Sequence, residues 1–277
     1  MDLEILKDTP PWEWPEGAGK LFLGVLQDDQ ADESDRLIAA ELAGDFTVIN
    51  DELAGALLSI VQSGDEPEKL RARAVIALGP ALEYAYVDGF EEPVEVPITE
   101  DTYRQIVKSL RELYVDADVP KLLRRRVLEA AVRSPQDWHQ DAIRAAYSSD
   151  DDDWRLTAVF CMRYISGFED NILESLESEN PDIHYEAVCA AGDWQVDAAW
   201  PHVTSLVASE ETDKFLLLAA IDAVTNIRPR EAGVTLIHLV DYDDEDIVDA
   251  ADEAMVMVEE LYGDDDLDED EDDGSVH

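Results

Sequence analysis

The sequence predicts an all-α fold, an α-solenoid of about seven stacked two-helix units that wind as a right-handed superhelix. The first observation is a ten-residue pattern, clearest at residues 70–79, that occurs seven times. The second is its period, which is roughly thirty residues at every step but one, as in helical repeat arrays. The third is that apolar residues recur at helical spacing along the predicted helices. Each unit is therefore expected to pack mainly on its neighbours.

The fifth position of the pattern marks the first helix of each unit. It is alanine in six copies and valine in one. A small side chain suits a point where helices of neighbouring units cross closely, because a large one would hold the backbones apart. The equivalent residues are Ala39, Ala74, Val127, Ala158, Ala187, Ala219 and Ala251.

Two polar positions accompany this residue. Acids such as Asp153 and Asp182 stand at the helix start, where a carboxylate satisfies free amides and opposes the positive end of the helix dipole. Three positions before the small residue, five copies carry a basic side chain, and Arg124 in that place is expected to bridge to a carboxylate of a neighbouring repeat. The five are Arg36, Arg71, Arg124, Arg155 and His184.

The segments 153–158 (Asp-Trp-Arg-Leu-Thr-Ala) and 182–187 (Asp-Ile-His-Tyr-Glu-Ala) carry a family resemblance. Their pattern of acid, apolar residue, basic residue, two variable residues and alanine resembles the HEAT-repeat family, in particular the short HEAT-like repeats of phycobilisome lyases. The resemblance covers about residues 30–262. It implies the repeat fold, in a family of mostly scaffolds with a few enzymes.

The N-terminal segment, residues 1–16, is rich in proline, which argues against a regular helix there. Trp12 and Trp14 are predicted to cover the apolar end of the array, and a docking peptide for another protein is the alternative. Residues 17–20, Gly-Ala-Gly-Lys, do not form a phosphate loop. Trp14 stands where the first glycine is required, and Leu21 stands at the Ser/Thr position.

The repeat array is predicted to span residues 17–262. A short helix at 20–26 precedes a first helix at 36–42, a second helix at 51–61 and the next first helix at 70–78. Gly79-Pro80 is expected to end that helix, because glycine tolerates a left-handed cap and proline cannot continue the helix.

Residues 81–98 form an insertion where a short turn would serve. Long loops inside compact folds are often functional. Tyr84, Tyr86 and Phe90 offer an aromatic contact surface for a partner, and the alternative is that these rings tuck the loop over its own repeat.

The later elements follow in pairs. Pro201 is expected to kink its helix, and residues 263–277 are predicted to be a disordered acidic tail because they have almost nothing to bury. The predicted helices are 99–114, 118–132, 134–147, 154–165, 172–176, a first helix after the boundary at 180–182, 196–207, 215–224, 235–240 and 247–261.

The formal net charge of −47, from 67 acids and 20 bases, limits the partners. Such a surface repels nucleic acid and anionic membranes, whose binding depends on Lys and Arg. Adaptation to a salty cytoplasm, docking of a basic partner and imitation of nucleic acid would each explain the acidity.

Residues 69–144 depart from this acidity, with twelve bases and thirteen acids. Lys121, Arg124, Arg125 and Arg126 lie in one predicted helix, and successive positions differ by about 100°, so the three arginines cannot share one face. At least one of them is expected to be available to an anionic partner, with internal ion pairing as the alternative. Trp138 is a further candidate contact.

No catalytic, cofactor or metal site is predicted. The five histidines occupy unrelated repeat positions, and His184 and Glu186 project from different sides of one helix, so they cannot close around one ion. Cys161 and Cys189 are predicted to be small buried residues, with a disulfide or a metal pair as the alternative.

These observations predict a non-catalytic scaffold or adaptor that binds other proteins along a helical surface. The alternatives are a lyase or chaperone-like protein of the phycobilin-lyase type, implied by the resemblance alone, and an acidic nucleic-acid mimic that binds a basic protein. No apolar run approaches the ~18 residues of a membrane span, and the start lacks a signal-peptide pattern, so a cytoplasmic protein is expected. The sequence leaves the oligomeric state open.

Overall fold

A computed structural model describes residues 2–90 and 96–262, with side chains through residue 259. It is all-helical over these residues, and the chain divides into two compact units between Ser149 and Asp150. The helices of the first unit are α1 Leu3–Lys7, α2 Ala18–Gln27, α3 Glu33–Leu42, α4 Asp51–Gln62, α5 Glu68–Ala77, α6 Gly79–Asp88, α7 Glu100–Val115, α8 Lys121–Ala131 and α9 His139–Tyr147. Those of the second are α10 Asp152–Met162, α11 Glu169–Ser175, α12 Pro181–Asp193, α13 Trp200–Val207, α14 Lys214–Ile227, α15 Pro229–Leu236 and α16 Glu245–Tyr262.

The predicted all-α repeat fold is confirmed by how the helices stack within each unit. In the first unit α3 packs on α5 and α5 on α8, while α2, α4 and α7 form a second row. In the second unit α10, α12, α14 and α16 stack in sequence, and α11, α13 and α15 each pack beside a following first helix. The seven first helices named from the repeat pattern are all helices, and the superhelical sense stays a prediction.

The small residue of the repeat lies where the argument from helix crossing puts it. All seven equivalent positions are buried, and six of them have no exposed surface. Gly192 shows how close the stacked helices come, because a Cβ added there would lie 2.9 Å from the Cα of Ala223 on the next first helix. The rows therefore stack through small side chains, as predicted.

The recurrent arginine of the first helices has a backbone role. Arg36, Arg71 and Arg124 each donate a guanidinium N–H to the main-chain carbonyl ten residues earlier, at 3.2, 2.9 and 2.9 Å. The acceptors Leu26, Val61 and Tyr114 lie in the last turns of α2, α4 and α7. Carbonyls there lack a partner within their own helix, and a cation favours the negative end of the helix dipole. Each arginine thus caps the helix before its own.

Ion pairs also join consecutive repeats. Arg36 meets Glu66, Arg163 meets Asp193 and Lys214 meets Asp244, each at 2.7 Å and each across thirty residues. The Arg36 pair is the most enclosed of the three, with side-chain exposures of 10% and 18%. These ion pairs thus link neighbouring repeats within a unit.

Two expectations about local structure are wrong, and a third is right about where a helix ends but wrong about the cause. Residues 3–7 form the helix α1, because the prolines that exclude a helix begin only at Pro10. The helix expected at 70–78 does end before Gly79-Pro80, at Ala77, but Gly79 does not take the left-handed conformation of the expected cap. A new helix, α6, begins at Gly79 instead, since proline fits the first turn of a helix, where its missing N–H is not needed. Pro201 likewise sits in the first turn of α13 and kinks nothing.

The insertion at 81–98 is consequently helical in its first half, through Asp88. Residues 91–95 and the predicted tail at 263–277 lie outside the described residues. The helix expected at 235–240 is α15 at Pro229–Leu236, continued by a short 3-10 turn to Leu239.

Trp14 and Trp12 differ in their surroundings. The Nε1–H of Trp14 donates to the carbonyls of Leu6 and Thr9 at 2.9 Å, and its ring meets Phe22 of α2 edge-on. Trp14 therefore covers the first helical layer as predicted, whereas Trp12 is 79% exposed and does not.

Candidate functional site

The four predicted cations of α8 do not form one surface. Arg125 was predicted to be a candidate partner-binding residue, but it is only 5% exposed. That prediction is wrong, because a buried side chain cannot contact a partner. Arg124 caps α7 and lies over the ring of Tyr114. Arg126 pairs with Glu129, and Lys121 is exposed at the helix start. The predicted basic cluster is mostly used within the fold.

The predicted aromatic residues also separate into two groups. Tyr84 and Tyr86 of α6 are 41% and 51% exposed, and the ring centroid of Tyr84 lies 4.4 Å from that of Phe46. Phe90 instead packs on Tyr103, and Trp138 packs between Tyr114 and His139. Only the first pair presents its rings to solvent.

A groove of about 540 Å³ runs along α7 in the first unit. We call it the α7 groove. Arg104, Lys108 and Arg111 line it at intervals of about one helical turn, and the half-buried Trp138 lines it as well. It is lined by Tyr103, Arg104, Val107, Lys108, Arg111, Glu112, Val115, Gln136 and Trp138.

The charges of the α7 groove are only partly balanced. Arg104 pairs with Glu100 at 2.5 Å, and Lys108 approaches Glu112 at 3.9 Å, both as exposed pairs one helical turn apart. Such surface pairs contribute about 0.3–0.5 kcal/mol, so a stronger anionic ligand can replace them. Arg111 has no ion pair among the described residues. The α7 groove therefore combines cations with an aromatic floor, although the sequence singled out α8.

In the second unit, a polar cluster around Arg163 joins α10, α12 and α14. Arg163 donates to Asp193 at 2.7 Å and lies 3.5 Å from Glu186. Burial acts to lower the pKa of Arg163, but the bond to Asp193 outweighs it and holds the pKa above its ordinary value. Burial together with the charge of Asp193 raises the pKa of the nearby Asp222.

Cys189 belongs to the same cluster and is not a reactive thiolate. Burial raises the pKa of its thiol to about 11, so the sulfur stays protonated at neutral pH. Cys161 and Cys189 are both buried free cysteines, as predicted. Burial likewise raises the pKa of Tyr185 beside Cys189, which leaves the phenol neutral. The contacts of this cluster fasten three first helices together.

Two histidines that the sequence left unrelated meet in the second unit. The Nε2 atoms of His184 on α12 and His202 on α13 are 2.8 Å apart. Nδ1 of His202 lies 3.6 Å from a carboxylate oxygen of Glu177. Burial and the neighbouring imidazole lower the pKa of His184. The two histidines are eighteen residues apart in the sequence. They meet because the chain turns back between α12 and α13, which the sequence pattern did not predict.

His139 is the most enclosed titratable group in the first unit. Its ring is fully buried, its Nδ1 accepts the N–H of Gln136 at 3.0 Å, and burial lowers its pKa to about 4. Its Nε2 has no hydrogen-bond partner among the described residues. It is therefore a neutral imidazole at physiological pH, held by its neighbours.

Across residues 2–90 and 96–262, no three or more His, Cys, Asp or Glu side chains are arranged to hold a metal ion. No helix within the same residues has the length and apolar character needed to cross a membrane.

Comparison with known proteins identifies no family. No family model matches the chain, and no curated protein matches it. Among solved structures, the Escherichia coli protein YibA is 15% identical with a TM-score of 0.45, covering 89% of this chain and 84% of its own. Human deoxyhypusine hydroxylase in complex with glycerol is 16% identical with a TM-score of 0.41, covering 90% and 87%. Neither likeness assigns an activity to this chain.

Proposed function

We propose that the protein is a non-catalytic helical-repeat scaffold that binds an acidic segment of another protein in the α7 groove. The observation that carries this proposal is the meeting of Arg104, Lys108 and Arg111 with Trp138 along one concave surface. A rigid sixteen-residue helix holds the three cations at a fixed spacing.

Local charge supports an acidic occupant. The α7 groove lies in the near-neutral segment 69–144 of a chain whose net charge is −47. The excess of carboxylates elsewhere on the chain repels an acidic peptide, so the α7 groove is the favoured binding site. Complementary potentials govern the register and on-rate of protein association more than its total affinity.

The composition of the α7 groove fits peptide recognition. Aromatic and arginine side chains supply much of the binding energy at protein interfaces. Trp138 and the 68%-exposed Val115 provide apolar contact near the cations. An extended acidic segment with one or two apolar anchors matches this arrangement.

The test compares two double charge reversals in affinity capture from the source organism. Lys108→Glu with Arg111→Glu alters the α7 groove. Lys69→Glu with Arg73→Glu makes the same charge change on α5, where Lys69 and Arg73 are also exposed. We expect the groove variant to lose a stoichiometric partner that wild type and the α5 variant retain.

The captured partner is then purified and titrated directly. Reversing both groove charges should weaken binding about tenfold or more, because like charges across an interface cost several kcal/mol. Added salt should weaken wild-type binding through screening. Equal affinity of both variants for the partner would remove the α7 groove from the interface, and circular dichroism checks that both are folded.

A further inference from the structure

We propose that His184 and His202 form a binding site for one divalent transition-metal cation of the zinc class, with water molecules completing its coordination. The inference is independent of the proposed function, since the pair lies in the second unit and the α7 groove in the first.

Ring positions support the proposal. The imidazole centroids are 5.0 Å apart with their planes at 81°, and each ring directs Nε2 towards the other. Two imidazoles bound to one tetrahedral zinc ion, with Zn–N bonds of about 2.05 Å, have ring centres roughly 5 Å apart. The rings need only pivot so that their Nε2 lone pairs converge beside the line joining them.

The surroundings of His202 have a metal-site feature. Its second nitrogen, Nδ1, lies 3.6 Å from Glu177. Metal-bound histidines commonly present the N–H of their other ring nitrogen to a carboxylate, which fixes the ring and raises its basicity. Glu177 is 82% exposed, so its side chain is free to turn and close this distance.

Electrostatics favour a cation at this place. Glu177 and Asp213 both act on His184 with negative charge. Without a metal, the two Nε2 atoms share one proton in a hydrogen bond, and protonating both rings would place two like charges 2.8 Å apart. A dication would instead use both lone pairs at once.

Imidazole selects the class of metal. Nitrogen ligands suit zinc, copper and nickel, whereas magnesium and calcium prefer oxygen ligands. The distinction matters in a chain with 67 acidic residues, because exposed carboxylates attract any divalent ion weakly. Excess Mg²⁺ occupies those carboxylates without competing for the imidazoles.

The experiment titrates Zn²⁺ into the untagged 277-residue chain by calorimetry in excess Mg²⁺. We expect one site, lost in His184→Gln and in His202→Gln, and retained in the control His238→Gln, whose imidazole contacts the Val207 carbonyl instead. Glu177→Gln should weaken binding about 10- to 100-fold, as loss of a carboxylate behind a histidine ligand does.

A spectroscopic measurement on the wild type makes the result independent of variant folding. Electron paramagnetic resonance of one equivalent of Cu²⁺ should show nitrogen ligands from two imidazoles. An all-oxygen spectrum, no Zn²⁺ binding in excess Mg²⁺, or undiminished binding by folded His184→Gln and His202→Gln would each overturn the proposal.

Discussion

His139 begins α9 inside a shell of apolar side chains that includes Leu82, Val107 and Leu110. Its backbone partner Gln136 occupies Nδ1, so the ring can take a proton only by giving up that bond. Burial also penalises the charged form, which is why its pKa falls to about 4. The unfolded chain binds this proton near pH 6.5, and the folded chain does not.

Acid should therefore weaken the fold through His139. The stability is fully present above about pH 6.5, and the loss amounts to about 2 kcal/mol at pH 5 and about 3 kcal/mol at pH 4. His139→Asn keeps a side-chain acceptor for Gln136 without titrating. Denaturant unfolding from pH 7 to pH 4 should show the wild type losing about 3 kcal/mol more than the variant. Parallel curves would mean that the ring is solvated and titrates normally.

The sequence pattern predicted burial at the repeated small position but not at every candidate site residue. Ala39 and its equivalents were predictable because a repeated position has a repeated environment. Arg125 follows Arg124 in a helix that starts after the insertion, and it proved to be buried. His184 and His202 belong to different repeat positions, so no periodicity relates them.

At the scale of elements, the closeness of the stacked helices can be tested with two helical glycines. Gly192 of α12 faces the backbone of Ala223 on α14, where an added Cβ would lie 2.9 Å from a Cα atom. Gly55 of α4 has open space around it. Backbone cannot yield as the end of a flexible side chain can, so the two positions should respond oppositely to the same methyl group.

Gly192→Ala should lower the free energy of unfolding by about 1–3 kcal/mol, the cost of overpacking. Gly55→Ala should raise it by about 0.5–1 kcal/mol, because alanine loses less conformational freedom in a helix. Urea unfolding followed by circular dichroism measures both. Stabilisation by Gly192→Ala would contradict the close contact between α12 and α14.

Local signals for helix ends were less reliable than the repeat itself. Gly79-Pro80 satisfies both the rule for a helix stop and the rule for proline in a first turn. The structure shows both, because α5 ends at Ala77 and α6 begins at Gly79. Tertiary packing explains why a helix follows the dipeptide, because α6 packs its buried Ala81, Leu82 and Ala85 against neighbouring helices. The dipeptide carries no information about that packing. The same ambiguity affected Pro201.

At the scale of the whole molecule, the acidity outweighs every ion pair that the chain can form. With 67 acids and 20 bases, 47 carboxylates lack a cation even if every base pairs once. Their repulsion opposes the compact state and is screened by salt, since the Debye length falls from about 10 Å at 0.1 M to about 3 Å at 1 M. Added NaCl should therefore raise the melting temperature.

How strongly the fold depends on NaCl distinguishes two explanations of the acidity, adaptation to high salt and binding of a basic partner. An adapted protein should lose its helical circular dichroism signal below about 1 M NaCl, where screening no longer offsets the charge. A chain truncated after Tyr262 should behave alike, because only nine of the 67 acids lie in residues 264–273. Sucrose serves as the uncharged control, because it favours compact states without screening.

A chain that is fully folded in dilute buffer, with a melting temperature insensitive to NaCl, would refute salt adaptation. The carboxylates would then be left as a surface for a basic partner.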